Sequence, residues 1–214
     1  MSFRQAISAS SFSESEAINL VSKGRGMYAP KFQVGKTYRA QIINGPDTTA
    51  TGAQDEYRLT RYIIHGSCIV DRIRFSNSSA NAGALYRVCG YSSNDFGFPS
   101  ALIFDSGDIS TAVAGIKTIS GLSIPLVRGI YWFGGAAHFT GTTVMNYSQF
   151  GPSEYGFPRL DDTLALAGAA TSPQVSNKPG APPNPWPAEG PIGGTDSNWT
   201  TFGPLIELRF SAAS

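Results

Sequence analysis

His65 and His138 are the only imidazoles in the chain, so acid–base or metal chemistry would have to be assembled around them or around carboxylates. Neither stands in an HExxH spacing, and neither a GxSxG elbow nor a phosphate-cradling P-loop occurs. Asp161 and Asp162 are adjacent, so in regular structure their side chains diverge instead of flanking one substrate atom. A glycosidase acid pair is defined by separation in space, which distant loops can supply. A polysaccharide-degrading enzyme is therefore kept as the third alternative, and the expectation is a protein that is not an enzyme.

Two other groups of side chains can bind without catalysing. Asn94, Asp95, Asp105 and Asp108 offer hard oxygen atoms of the kind Ca²⁺ collects, six to eight at a time, but their spacing does not match the EF-hand loop. Solvated turns and capping of backbone N–H groups are the simpler use, so no metal or other cofactor is expected. Tyr131, Trp132 and Phe133 stand in a row, which in a strand gives each face a ring: one for the core, the other for core, a subunit contact or a stacked sugar. Trp186 and Trp199 lie in a Pro/Gly-rich neighbourhood. With Tyr147, Phe150, Tyr155 and Phe157 they are the candidates for a partner- or glycan-facing surface, against the alternative that they pin loops to their own domain.

The elements that must position these groups are short and extended. Candidate strands begin at Thr37, Tyr57, Ile69, Leu85, Leu102, Gly115, Leu122, Val127, Thr142 and Thr201. Gly, Pro, Asn and Ser separate them, and no crossover-length helix intervenes. In the strand from Ile69, Ile73 and Phe75 share one face with Ile69 while Arg72 and Arg74 take the other. Near the end Ile206, Leu208 and Phe210 alternate with Leu205, Glu207 and Arg209. This pattern predicts an all-β fold, an antiparallel β-sandwich of jelly-roll type, over residues 35–214. Residues 1–34 read as an extended N-terminal arm. Its anchors Phe3, Ile7, Phe12, Ile18 and Leu20 are spaced to dock on a neighbouring subunit or on the chain's own domain, and a short helix is expected within 13–21. Residues 161–170 suit a short helix or an irregular segment. From 172 to 195 Pro and Gly recur so often that regular ladders are hard to maintain, so a long loop excursion is expected before the last strand.

The totals agree with a folded β protein. The chain has 214 residues, enough to bury about 70% of its unfolded surface, with 24 Gly, 14 Pro and 14% charged residues. A net charge of +1 without a basic stripe predicts no nucleic-acid partner. The absence of a long apolar run predicts no membrane insertion and synthesis in a cytosol. There Cys68 and Cys89 are expected as small buried hydrophobes rather than a disulfide.

Over residues 57–133, roughly a third of the chain, the order of motifs resembles β-sandwich modules of tailed-bacteriophage virion proteins. The resemblance is carried by Tyr57 and Tyr62, then Ile69-Val-Asp-Arg-Ile, then Ala82-Gly-Ala-Leu-Tyr-Arg-Val-Cys-Gly-Tyr. It continues through Asn94-Asp-Phe-Gly-Phe-Pro-Ser-Ala-Leu-Ile-Phe-Asp-Ser-Gly and Gly115-Ile-Lys-Thr-Ile to Gly129-Ile-Tyr-Trp-Phe. It implies a jelly roll assembled with identical subunits as a homotrimer, located in the virion, on a tail fibre or baseplate, among other virion proteins. A host surface glycan is the implied alternative partner. The family has no catalytic motif to carry over, and the arm and the Pro-rich excursion depart from its usual pattern.

Overall fold

The computed structural model describes residues 33–39, 47–51, 54–139, 146–150, 172–175, 178–187, 198–200 and 203–213. The chain divides into two units, Met1–Lys31 and Phe32–Ser214, and the described residues belong to the second. The arm anchors Phe3, Ile7, Phe12, Ile18 and Leu20, the helices expected within 13–21 and 161–170, and the rings of Tyr155 and Phe157 lie outside the described residues.

Thirteen strands are described. The first seven are β1 (Thr37–Arg39), β2 (Asp47–Thr51), β3 (Tyr57–Ile64), β4 (Cys68–Asn77), β5 (Leu85–Ser93), β6 (Pro99–Ser110) and β7 (Gly115–Leu126). The rest are β8 (Gly129–His138), β9 (Asn146–Phe150), β10 (Ser172–Val175), β11 (Asn198–Thr200), β12 (Gly203–Pro204) and β13 (Ile206–Ala213). They form two sheets. The first runs β1-β13-β4-β9-β12, with β7 also paired to β4 and β2 to β9; the second runs β11-β10-β3-β8-β5-β6. Every pairing between these strands is antiparallel. The four-strand sets β1-β13-β4-β7 and β3-β8-β5-β6, filled by a chain that keeps crossing between them, make the fold a jelly-roll-like sandwich. No described helix is long and apolar enough to cross a membrane.

The period-2 alternation explains which side chains meet between the sheets. Ile206, Leu208 and Phe210 of β13 are buried against Tyr62 and Ile64 of β3, Tyr86 and Val88 of β5, and Phe133 of β8. Each large apolar side chain removed from water contributes about 1.5–3 kcal/mol. A one-residue slip of β13 would turn all three outward, so the register is strongly set. Polar groups tie the layers together as well. Thr60 Oγ1 donates to Pro204 O at 3.0 Å, and the Tyr62 hydroxyl donates to Ile206 O.

One strand departs from simple alternation. In β4 the core takes Cys68 and Val70, then Ile73 and Phe75, so Val70 replaces the expected Ile69. Against β13 the register steps from Arg209–Arg72 to Phe210–Val70, which leaves Asp71 as an extra residue on β4, and the pairing with β7 is irregular at the same place; this β-bulge reverses which parity faces inward. Asp71, at the bulge, grips Arg209 of β13 through bonds of 2.9 and 2.6 Å. Arg74 similarly meets Glu207 at 2.5 Å.

Three further expectations are revised. The segments at 115–120 and 122–126 are one strand, β7, bent at Gly121, where φ is +73°. The brief strand at Leu102 extends across 99–110, and the expected turn at Asp105 is a bulged stretch of β6 with Gly107 at φ +66°. Within the Pro-rich excursion, Ser172–Val175 does hold a ladder, pairing Gln174 and Val175 with β3 just beyond Pro173. The cysteines are free and buried, as expected. Cys68 lies between the sheets and Cys89 on the far face of the second sheet. Burial pushes the Cys68 thiol up to about 11 and Cys89 well above the ordinary thiol range, which keeps both protonated and unreactive.

Candidate functional site

The far face of the second sheet carries Tyr57 and Leu59 of β3, Cys89 and Tyr91 of β5, and Trp132 and Ala136 of β8. Such a face would expose a large apolar surface, but residues 178–187 lie across it as a strap. Lys178 N donates to Asp55 O at 2.9 Å and Trp186 N to Ser100 O at 2.8 Å. The Tyr57 hydroxyl donates to Gly180 O at 2.5 Å and that of Tyr91 to Pro183 O at 2.7 Å. Leu102 N donates to Asn184 Oδ1 at 3.3 Å. Burial raises both phenols above their ordinary range, so they stay protonated as donors. Trp186 closes the strap: its ring stands edge-on to Tyr91 at 5.1 Å and is 3% exposed. The expected partner-facing role of Trp186 is thereby corrected, because the proline-bracketed loop turns the indole into its own sandwich.

The strap is also held by a chain of polar groups that sequence reading did not assemble. His138 Nδ1 lies 2.6 Å from Asp55 Oδ1, and His138 Nε2 lies 3.3 Å from the Tyr57 hydroxyl. Asp55 sits at φ +55°, a conformation that Asp tolerates better than most residues. The order Asp–His–Tyr is that of an oriented base. Its outer member, however, is fully buried and already bonded to the strap backbone, so the chain acts here as a clamp. Asp55 and His138 are 83 positions apart, which leaves no local signal by which to pair them.

The remaining candidates are distributed as follows. Tyr131 lies at the edge of the inter-sheet core, Phe133 inside it, and Trp132 under the strap, so both faces of β8 carry a ring as alternation requires. Tyr147 and Phe150 stand on β9 in the first sheet and Trp199 on β11 at the edge of the second. The four oxygen-bearing residues do not converge. Arg87 takes Asp105 in a two-pronged ion pair at 2.7 and 2.6 Å and approaches Asp108 at 3.7 Å. Its guanidinium holds Asp105 below the usual carboxylate range against the opposing effect of burial. Asn94 and Asp95 precede β6, roughly 20 Å or more of extended chain from Asp105. Among the described residues no group of three potential metal ligands occurs.

Asn94 and Asp95 instead line a cleft of about 310 Å³ at one end of the second sheet. One wall is residues 92–95 and 97; the other is residues 128–131. The first turn is fixed by Asn94, whose Oδ1 accepts from Phe96 N and Phe98 N at 3.0 Å each. Trp132 Nε1 braces it by donating to Gly97 O at 3.1 Å and Ser93 Oγ at 3.0 Å. Opposite, Val127 N donates to the Tyr131 hydroxyl at 3.1 Å. Neither Asp95 nor Arg128 has a hydrogen-bond or ion-pair partner among the described residues. Sequence reading singled out Asn94, Asp95 and Tyr131 separately but missed Arg128; a lone exposed arginine after a strand carries no signal of the loop it will face.

His65 feels this end of the sandwich. Burial, followed by the positive charge of Arg128, lowers its proton affinity below the ordinary histidine range. The unfolded chain therefore takes up the His65 proton first as pH falls. The stabilising difference is fully present above the ordinary value near ~6.5 and is lost progressively below it. An Arg128→Gln variant is expected to raise the His65 midpoint in a proton-NMR titration and to flatten the loss of stability toward acid; an unchanged midpoint would remove Arg128 from this account.

The fold and the cleft together define the class: a jelly-roll β-sandwich with one strapped face and a polar cleft between two end loops. No protein-family model matches the chain, and no curated protein matches it significantly.

Proposed function

We propose that the chain is a structural component of a tailed-phage virion, on a tail fibre or baseplate, whose jelly roll assembles with identical subunits as a trimer. The observation that carries this reading is the unfinished flank at β6 and β7. Each of these 12-residue strands is paired on one side only among the described residues. Their inward side chains Phe104, Ile109, Ile119 and Leu122 are only partly buried, while Ile103, Val113 and Ile116 are 37%, 69% and 66% exposed. Exposed apolar clusters on a sandwich edge mark contact surfaces. The bulges in both strands interrupt the edge ladders, which disfavours simple strand addition and favours side-chain packing between subunits. The sequence order over 57–133 supplies the phage context, with the arm and loops as further contacts.

Light scattering on the purified full chain is expected to give a trimer, and Ile116→Lys combined with Ile103→Lys is expected to shift it toward monomer without loss of β-sheet circular dichroism. A wild-type protein that stays monomeric at high concentration, or that fails to copurify with intact particles, would defeat the proposal. A second reading, carbohydrate recognition at the host surface, is favoured by the two-loop cleft.

A further inference from the structure

We infer that the cleft between residues 92–97 and 128–131 is a binding site for a neutral polyhydroxylated ring, a saccharide unit, gripped by Asp95 and Arg128 and seated on Tyr131. The inference rests on the second reading above and goes beyond it in assigning the site and the charge of the ligand.

Size sets the first bound: about 310 Å³ is the lower end of small-ligand sites and excludes a folded partner as the occupant of the cleft itself. The polar inventory sets the second. Asn94 Oδ1 already accepts two backbone N–H groups, so its amide is left with donors only. The Tyr131 oxygen accepts from Val127 N, which leaves its proton to give. Arg128 is donor-only and Asp95 acceptor-only. Both stand exposed at the cleft without a partner among the described residues.

A hydroxyl group both donates and accepts, so two neighbouring hydroxyls on one ring can satisfy a carboxylate and a guanidinium together. An anionic ligand would suit Arg128 but meet repulsion from Asp95, and a cation would meet the reverse. Among anionic, cationic and uncharged ligands, the uncharged polyol is the class that offends neither. Apolar surface completes the match. Ile130 and Tyr131 line the cleft, and Phe96, between two lining residues, is 83% exposed, offering a face for the C–H side of a sugar ring. The walls are held in place before any ligand arrives, since the Asn94 turn and the Trp132 brace lock the first loop. That reduces the ordering cost of binding.

The test is chemical-shift mapping of the full-length protein titrated with glucose, galactose, mannose, N-acetylglucosamine and maltose, beside glucuronate and choline as charged probes. Asp95→Ala and Arg128→Gln, both at exposed positions, are the variants. A neutral sugar that moves the amides of 92–97 and 128–131, and binds about tenfold or more weakly to each variant, is the expected result. Sugar binding that leaves those amides and both variants unaffected overturns this site while the carbohydrate reading stands. Tighter binding of glucuronate or choline overturns the neutral class, and no sugar binding overturns both the site and that reading.

Discussion

Gly134→Ala is expected to destabilise the chain by about 4 kcal/mol or more, and in practice to yield insoluble or unfolded protein. Gly134 sits on β8, hydrogen-bonded between β3 and β5 in the middle of the second sheet. A β-carbon there would collide with the Arg58 carbonyl oxygen and come within 2.8 Å of Leu59 Cα. Both are backbone atoms of β3, which is itself held on its other side by β10, so no rotamer change can make room. Gly90→Ala is the calibrating comparison. Its β-carbon would meet the Phe133 ring, 2.6 Å from Cε1, and a ring can tilt where a ladder cannot, so about 1–3 kcal/mol is expected. Urea denaturation followed by circular dichroism separates the two. A Gly134→Ala protein with the wild-type midpoint would show that β3 and β8 are not paired in this register.

Trp186→Ala is expected to cost about 3–5 kcal/mol, the range for deleting a buried tryptophan, and to free the strap before the sandwich melts. The ring is the strap's main apolar contact with Tyr91, and its loss leaves the Tyr57, Tyr91 and Trp132 face open to water. Trp186→Phe should be far milder. The indole Nε1 is buried with no hydrogen-bond partner among the described residues, a defect worth about 1–3 kcal/mol that phenylalanine removes, offsetting part of the lost ring volume. Limited proteolysis and amide exchange at 178–187 provide the readout, because local opening exposes the strap independently of global unfolding. Equal stability and equal protection in wild type and Trp186→Ala would mean that the indole does not close the strap.

The sequence by itself determined much of the frame, since alternation is a local consequence of strand geometry. Ile206, Leu208 and Phe210 announce their common face within five residues, and Tyr131, Trp132 and Phe133 must divide between two faces wherever β8 lies. Turn residues such as Gly97 and Pro99 similarly mark where the chain must reverse. Tertiary structure alone decided the rest, because strand pairing and coverage depend on residues far apart in the chain. Whether Ile69 or Val70 enters the core was settled by a bulge at Asp71 that exists only in the pairing of β4 with β13 and β7, both distant in the chain. Whether Trp186 faces a partner or its own sheet was settled by Tyr91 and Ser100, nearly a hundred residues away. Asp55 with His138, and the loop of Asn94 with Arg128, came together because β8 pairs with β3 on one side and β5 on the other within the second sheet; the side chains were legible in the sequence, but their meeting is a long-range event that no local pattern encodes.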